Sequence, residues 1–173
     1  MRGGIKEFQI NFVQLQNGSH DFEFEITKDL FDHYEDSLIE KGKGEAFLTL
    51  EKSERMMQLH FSGTIAVELI CDISLEPFDY VVSLDRDIIV KFGEEAAELS
   101  DDVIVIPNEA HQINVADFIY EFISLGIPMK KVHPKLEGVD RSELAYSDKT
   151  EEPDETGEPE IDPRWEALKK LKK

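Results

Sequence analysis

The chain has 173 residues, 40% of them hydrophobic, with 38 acidic against 19 basic side chains and a formal net charge of −19. That length and apolar content support one domain with a real core, plus an extra tail. The charge argues against a protein that wraps nucleic acid by neutralising phosphates, because such binding needs a basic face. It favours a basic partner, such as a ribosomal or other nucleic-acid-binding protein, with plain solubility as the other reading of the same charge.

Cys71 is the single cysteine, so no internal disulfide and no multi-cysteine zinc site can form. Met1 to Phe12 holds one arginine and no apolar segment, which does not read as a signal peptide. No apolar run approaches the roughly 20 residues needed to cross a bilayer. The expected location is the cytoplasm, without membrane contact.

Phe8 to Leu15 alternates as a first strand (Phe8, Ile10, Phe12). Asn17-Gly18 signals a turn, and Phe22, Phe24 and Ile26 alternate against Asp21, Glu23 and Glu25. Together these predict an N-terminal hairpin. Thr27 then caps a helix in which Leu30, Phe31, Tyr34 and Leu38 recur at helical spacing, and Gly42 ends it. Gly44 to Glu51 is the next strand, turning through Lys52-Ser53-Glu54.

The longest pattern begins at Met57. Met57, Leu59, Phe61, Gly63, Ile65, Val67, Leu69 and Cys71 share one face, and the residues between them the other. A period of two over that length predicts a long half-buried strand. Ser62-Gly63 in its middle predicts a bulge or bend. After a break at Asp72 to Pro77, alternation resumes through Phe78, Tyr80, Val82, Leu84, Ile88, Val90 and Phe92. The pair reads as a long hairpin on which the rest of the sheet builds.

Glu94 to Asp102 is acidic and reads as a solvated loop or short helix. Val103 to Ile106 is a short strand closed by Pro107-Asn108. Asn114 opens the second helix, with Asp117 placed to complete a capping-box-like pair. Val115, Phe118, Ile119, Phe122, Ile123 and Leu125 form its apolar stripe, Gly126 is the C′ residue, and Pro128 forbids continuation.

Composition changes after Pro134. Ser147 to Glu160 is acidic, contains Pro153, Gly157 and Pro159, and has no aliphatic or aromatic residue with which to build a core; it is expected to be disordered. Asp162-Pro163 then starts a short helix with Trp165, Leu168 and Leu171 on one side and Lys169, Lys170, Lys172 and Lys173 at its end. Such a helix is marginal alone and folds onto its own domain or onto a partner groove.

Chemistry-bearing patterns are sparse. His20, His33, His60, His111 and His133 are scattered without metal-ligand spacing. No phosphate-binding glycine loop, nucleophile elbow or Cys/His pair stands out. The internal positive cluster is Lys130, Lys131, His133 and Lys135, with Arg141 beyond it, able to meet RNA phosphate or to be a solvated loop.

Three segments, in order, resemble the YceD family, the large ribosomal RNA subunit accumulation proteins. Cys71-Asp72-Ile73-Ser74-Leu75-Glu76-Pro77-Phe78 is similar to the family's Cys-x-Arg-Cys-Leu stretch between two long strands, with Cys71 and Leu75 matching. The proline-ended helix follows, with Asp117, Glu121, Leu125, Ile127, Pro128 and then His133. Asp162-Pro163-Arg164-Trp165, with Leu168 and Leu171, resembles the family's closing segment. Ile73 and Ser74 stand where the family's arginine and second cysteine are usual, and 135–161 lacks the further cysteines many members carry. Metal binding is therefore not carried over, and no cofactor is expected.

The resemblance implies a role in 23S ribosomal RNA accumulation and large-subunit assembly, and no enzymatic activity. The expected fold is α+β: an antiparallel, strongly twisted sheet, able to curl into a barrel, with two packed helices and a disordered acidic tail. The expected division is a core over 1–146, an acidic linker over 147–161 and a terminal helix over 162–173. The expected partner is a basic ribosomal protein or a pre-50S particle. The alternatives are a direct RNA binder and an enzyme on a small barrel scaffold. Contacts to protein or RNA would come from Lys130, Lys131, Lys135, Arg164, Trp165, Leu168, Lys169 and Leu171.

Overall fold

Period-two patterning over the middle of the chain does build the two longest strands. The protein is described here by a computed structural model, over residues 6–35 and 37–136. In chain order its elements are β1 (Gln9–Ile10), β2 (Gly18–Ile26), α1 (Lys28–Asp32), β3 (Gly42–Lys52), β4 (Met56–Ile70), β5 (Pro77–Gly93), β6 (Ala97–Ser100), β7 (Val103–Pro107), β8 (Ile113–Asn114) and α2 (Ala116–Leu125). The fold is α+β. Six strands form one sheet in the order β2-β3-β4-β5-β7-β6, antiparallel throughout except for the parallel pair β5–β7.

The sheet is open and not a barrel. Its edges, β2 and β6, do not pair with each other. β6 has only four residues and a register shift between Glu98 and Ser100, so it offers no long ladder on which to close. The inner face is covered by other means. α2 buries Ala116, Ile119, Phe122 and Ile123, and Phe61, fully buried on β4, meets the Phe118 ring at 6.1 Å and the Phe122 ring at 5.4 Å. Aromatic pairs at such spacings add to plain area burial.

Several local expectations change. Phe8 to Leu15 is not a strand of an N-terminal hairpin. Two 3-10 turns flank the two-residue β1, which pairs with β8, while β2 pairs with β3. Phe8, Ile10 and Phe12 are all buried, which period two alone could not distinguish from a strand face. Lys52 Nζ donates to the Phe12 and Leu15 carbonyls at 2.7 and 2.8 Å, serving acceptors that a ladder would otherwise use.

The first helix spans only five residues. Leu38, expected on its apolar face, is exposed, and Gly42 begins β3. Ser37 diverts the chain: its Oγ donates to the Ile39 carbonyl at 2.8 Å and accepts the Ile39 N–H at 3.2 Å. Such local side-chain bonds compete with helix continuation.

No bulge forms at Ser62-Gly63, because register runs unbroken through both neighbouring ladders. Gly63 instead takes φ +155, and a Cβ there would collide with the Glu45 carbonyl oxygen. Within the acidic segment, Ala97–Ser100 forms β6, paired to the apolar strand β7 and exposed at every position.

At α2, Asn114 Oδ1 accepts the Ala116 N–H at 3.0 Å, the first-turn bond foreseen, but Asn114 ends β8 and the N-cap residue is Val115, which makes no side-chain cap. Asp117 does not complete a capping box. It accepts the Tyr34 hydroxyl at 2.6 Å, and Tyr34 stacks on Tyr120 with centroids 3.8 Å apart. Burial, then the Asp117 acceptor, raise the Tyr34 phenol above its ordinary value. Gly126 has a right-handed φ of −74. Its role is close approach, since a Cβ would collide with Val82.

Candidate functional site

The turn between β4 and β5 begins where the buried face of β4 ends. Cys71 continues that face and is fully buried. Its N–H donates to the Glu76 carbonyl at 2.9 Å, and the Leu75 N–H donates back to the Cys71 carbonyl at 3.0 Å. These bonds close a tight loop. Leu75 sits at φ +58 and is 75% exposed. A left-handed leucine costs roughly 1–2 kcal/mol, and such strain clusters at functional sites.

A second segment, 59 residues further on, clasps this loop. The Asp72 N–H donates to the Lys131 carbonyl at 2.8 Å, and the Lys131 N–H donates to Asp72 Oδ2 at 2.7 Å. The His133 N–H and the Ser74 N–H both donate to Cys71 Sγ, at 3.3 and 3.5 Å. The His133 ring lies 5.5 Å from that of Phe78. Two parts of the sequence resemblance thus meet in space.

The hydrogen-bonded sulfur has a shifted titration. Hydrogen bonding from Ser74 lowers the Cys71 thiol from 9.0 to about 7, with a smaller contribution from the His133 N–H and burial opposing both. A depressed folded value means that deprotonation favours the folded loop. The stabilisation is complete above the unfolded value near 9.0 and is lost as pH falls through about 7. The melting temperature of the wild type, relative to Cys71→Ser, is therefore expected to rise between pH 7 and pH 9. Parallel pH profiles for the two proteins would contradict this.

Asp72 makes the clasp's charged bond. Asp72→Ala should cost about 1 kcal/mol locally. Hydrogen exchange at the Lys131 amide should then accelerate about fivefold, because that free energy is a factor of about five in an opening equilibrium. Unchanged exchange would show that the segment is held without Asp72.

Of the other residues singled out from sequence, Lys130 and Lys135 are exposed and Lys131 is half-buried beside the loop. Glu121 and Leu125 face solvent on α2, Pro128 is half-buried, and Asp117 is engaged with Tyr34. Arg141, Asp162, Pro163, Arg164, Trp165, Leu168, Lys169 and Leu171 lie outside the described residues, as do the linker and terminal helix. Sequence reading missed Asp72 as a partner of the later segment, because no spacing rule links positions 59 residues apart. Among the described residues, no three His, Cys, Asp or Glu side chains group as metal ligands, and no helix is long and apolar enough to cross a membrane.

Comparison with curated proteins and with solved structures returns no match. A family model does match: that of the large ribosomal RNA subunit accumulation protein YceD, over residues 59–172. That span holds both halves of the clasp and most of the chain, and the chain accordingly belongs to the YceD family.

Proposed function

We propose that this chain is a non-enzymatic factor for 23S ribosomal RNA accumulation and large-subunit assembly, acting in the cytoplasm by binding a basic ribosomal protein or a pre-50S particle. The family match over residues 59–172 carries the reading. The family's description names accumulation of a ribosomal RNA and no chemical reaction. The net charge of −19 supports a cationic protein partner over an RNA sleeve. The clasped β4–β5 turn supplies a surface on which Leu75 and Ile73 are exposed.

The test is depletion of the protein, with 23S RNA and 50S particles measured against 16S RNA and 30S particles. A selective fall in 23S RNA and 50S is expected, and unchanged levels would refute the reading.

One observation favours a second reading. Lys130 and Lys135 stand exposed on the segment that Asp72 and Cys71 hold in place, a preorganised local patch for RNA phosphate. Contact through that patch predicts an affinity for ribosomal RNA that falls steeply with salt.

A further inference from the structure

The long strands β2 to β5 are buried on one face and open on the other. Register lays the outward side chains in rows across the sheet. Glu23, Phe47, Ser62 and Asp85 form one row, and Glu25, Glu45, Thr64 and Ser83 the next. Phe47 is 43% exposed and Val81 59%, so large apolar groups stand among carboxylates. An open depression of about 710 Å³ spans this region, with Glu25, Lys43, Glu45, Phe47, Thr64 and Val81 in its lining.

Like charges also face each other there. Glu25 is directly opposite Glu45, and Glu68 is opposite Asp79. Directly opposed like charges destabilise a sheet. Lys41 answers Glu68 at 2.7 Å, and His60 answers Asp87 at 2.8 Å. No cation engages Glu23, Glu25, Glu45, Asp79 or Asp85 among the described residues. A cationic ligand would relieve this repulsion, and an apolar group on that ligand would cover Phe47 and Val81, which a bare ion would leave wet.

We propose that the outward face of β2–β5 docks an extended, lysine- or arginine-rich polypeptide segment, its basic side chains over Glu23, Glu45 and Asp85 and an aliphatic side chain over Phe47. This rests on the reading above that the partner is a basic ribosomal protein, and it names the surface that partner meets. The charge of the face repels RNA. Strand-like side-chain alternation in the segment would match the row spacing of the sheet.

The test uses the full chain and a fluorescent peptide of about twelve residues, ~40 Å when extended, with lysine and leucine taking turns at every second position, so that both face the sheet, and serine and threonine between. Anisotropy at low salt should show saturable binding. E23Q/E45Q/D85N should weaken it at least tenfold, and F47T/V81T at least fivefold. E94Q/E95Q/E98Q removes the same charge elsewhere and should change it less than twofold. Equal weakening by both charge triples would reduce the effect to net charge and overturn the proposal. So would indifference to every variant, or failure of the peptide to bind.

Cells separate this proposal from the functional reading. Loss of 23S RNA on depletion, rescued by the wild type and not by E23Q/E45Q/D85N, supports both. Full rescue by that variant overturns the docking surface and leaves the assembly role standing. No effect of depletion refutes the assembly role, and the peptide result then decides the surface alone.

Discussion

Phe61→Ala should destabilise the protein by about 3–5 kcal/mol, the scale of a buried phenylalanine truncated in a packed core. Phe61 is fully buried and lies at the centre of an aromatic cluster with Phe118 and Phe122. Those two rings belong to α2, so the cavity would open where helix meets sheet. Relaxation is restricted there, because β4 is laddered on both sides by β3 and β5. A typical domain has about 5–15 kcal/mol in total, so roughly a fifth or more of the stability would go. Urea unfolding followed by far-ultraviolet circular dichroism measures this directly. A loss below about 1 kcal/mol would mean that α2 is not seated on Phe61. Phe61→Leu should recover much of the loss, since it restores most of the volume.

Gly63→Ala should be nearly as severe, for a different reason. Gly63 holds φ +155, a backbone conformation that side chains rarely adopt, and its Cβ would strike the Glu45 carbonyl oxygen on the adjacent strand. Strain of that kind costs about 1–3 kcal/mol, and overpacking adds about 1–3 kcal/mol more. The obstacle is backbone, so no rotamer change can relieve it; the β3–β4 ladder must open. Gly18→Ala is the control. Gly18 also has positive φ, at +131, but nothing lies within 4 Å of its Cβ position. It should therefore show the backbone cost alone. Equal urea midpoints for the two variants would remove the Glu45 collision from the account.

These two residues also mark how far reading the sequence could go. Phe61 falls in the unbroken alternation from Met57 to Cys71, and burial follows that alternation on both sides of Gly63. Gly63 was legible as special, but its role was not. A bulge and an uninterrupted strand with one left-handed glycine look alike in one dimension, and only the neighbouring strand distinguishes them.

The same division runs through the rest of the chain. Strong local signals determined their elements: the long period-two runs of β4 and β5, the stripe of α2, and the Asn114 side-chain bond to its first N–H. Hydrophobic periodicity and capping act over a few residues, so sequence alone suffices for them. Phe8 to Leu15 shows where it does not. Its alternating aromatics promised a strand, yet the segment is buried as turns whose carbonyls are served by Lys52. The partner lies far along the chain, and tertiary packing overrode the local pattern.

The candidate site divides in the same way. Cys71 and His133 could be picked out one at a time from their segments. That Asp72 bonds Lys131 and that the His133 N–H meets Cys71 Sγ was decided by the fold, as were the open edges of the sheet and the pairing of β2 with β3. Contacts between distant segments form only when the whole core places both backbones, and their energy appears in no local propensity.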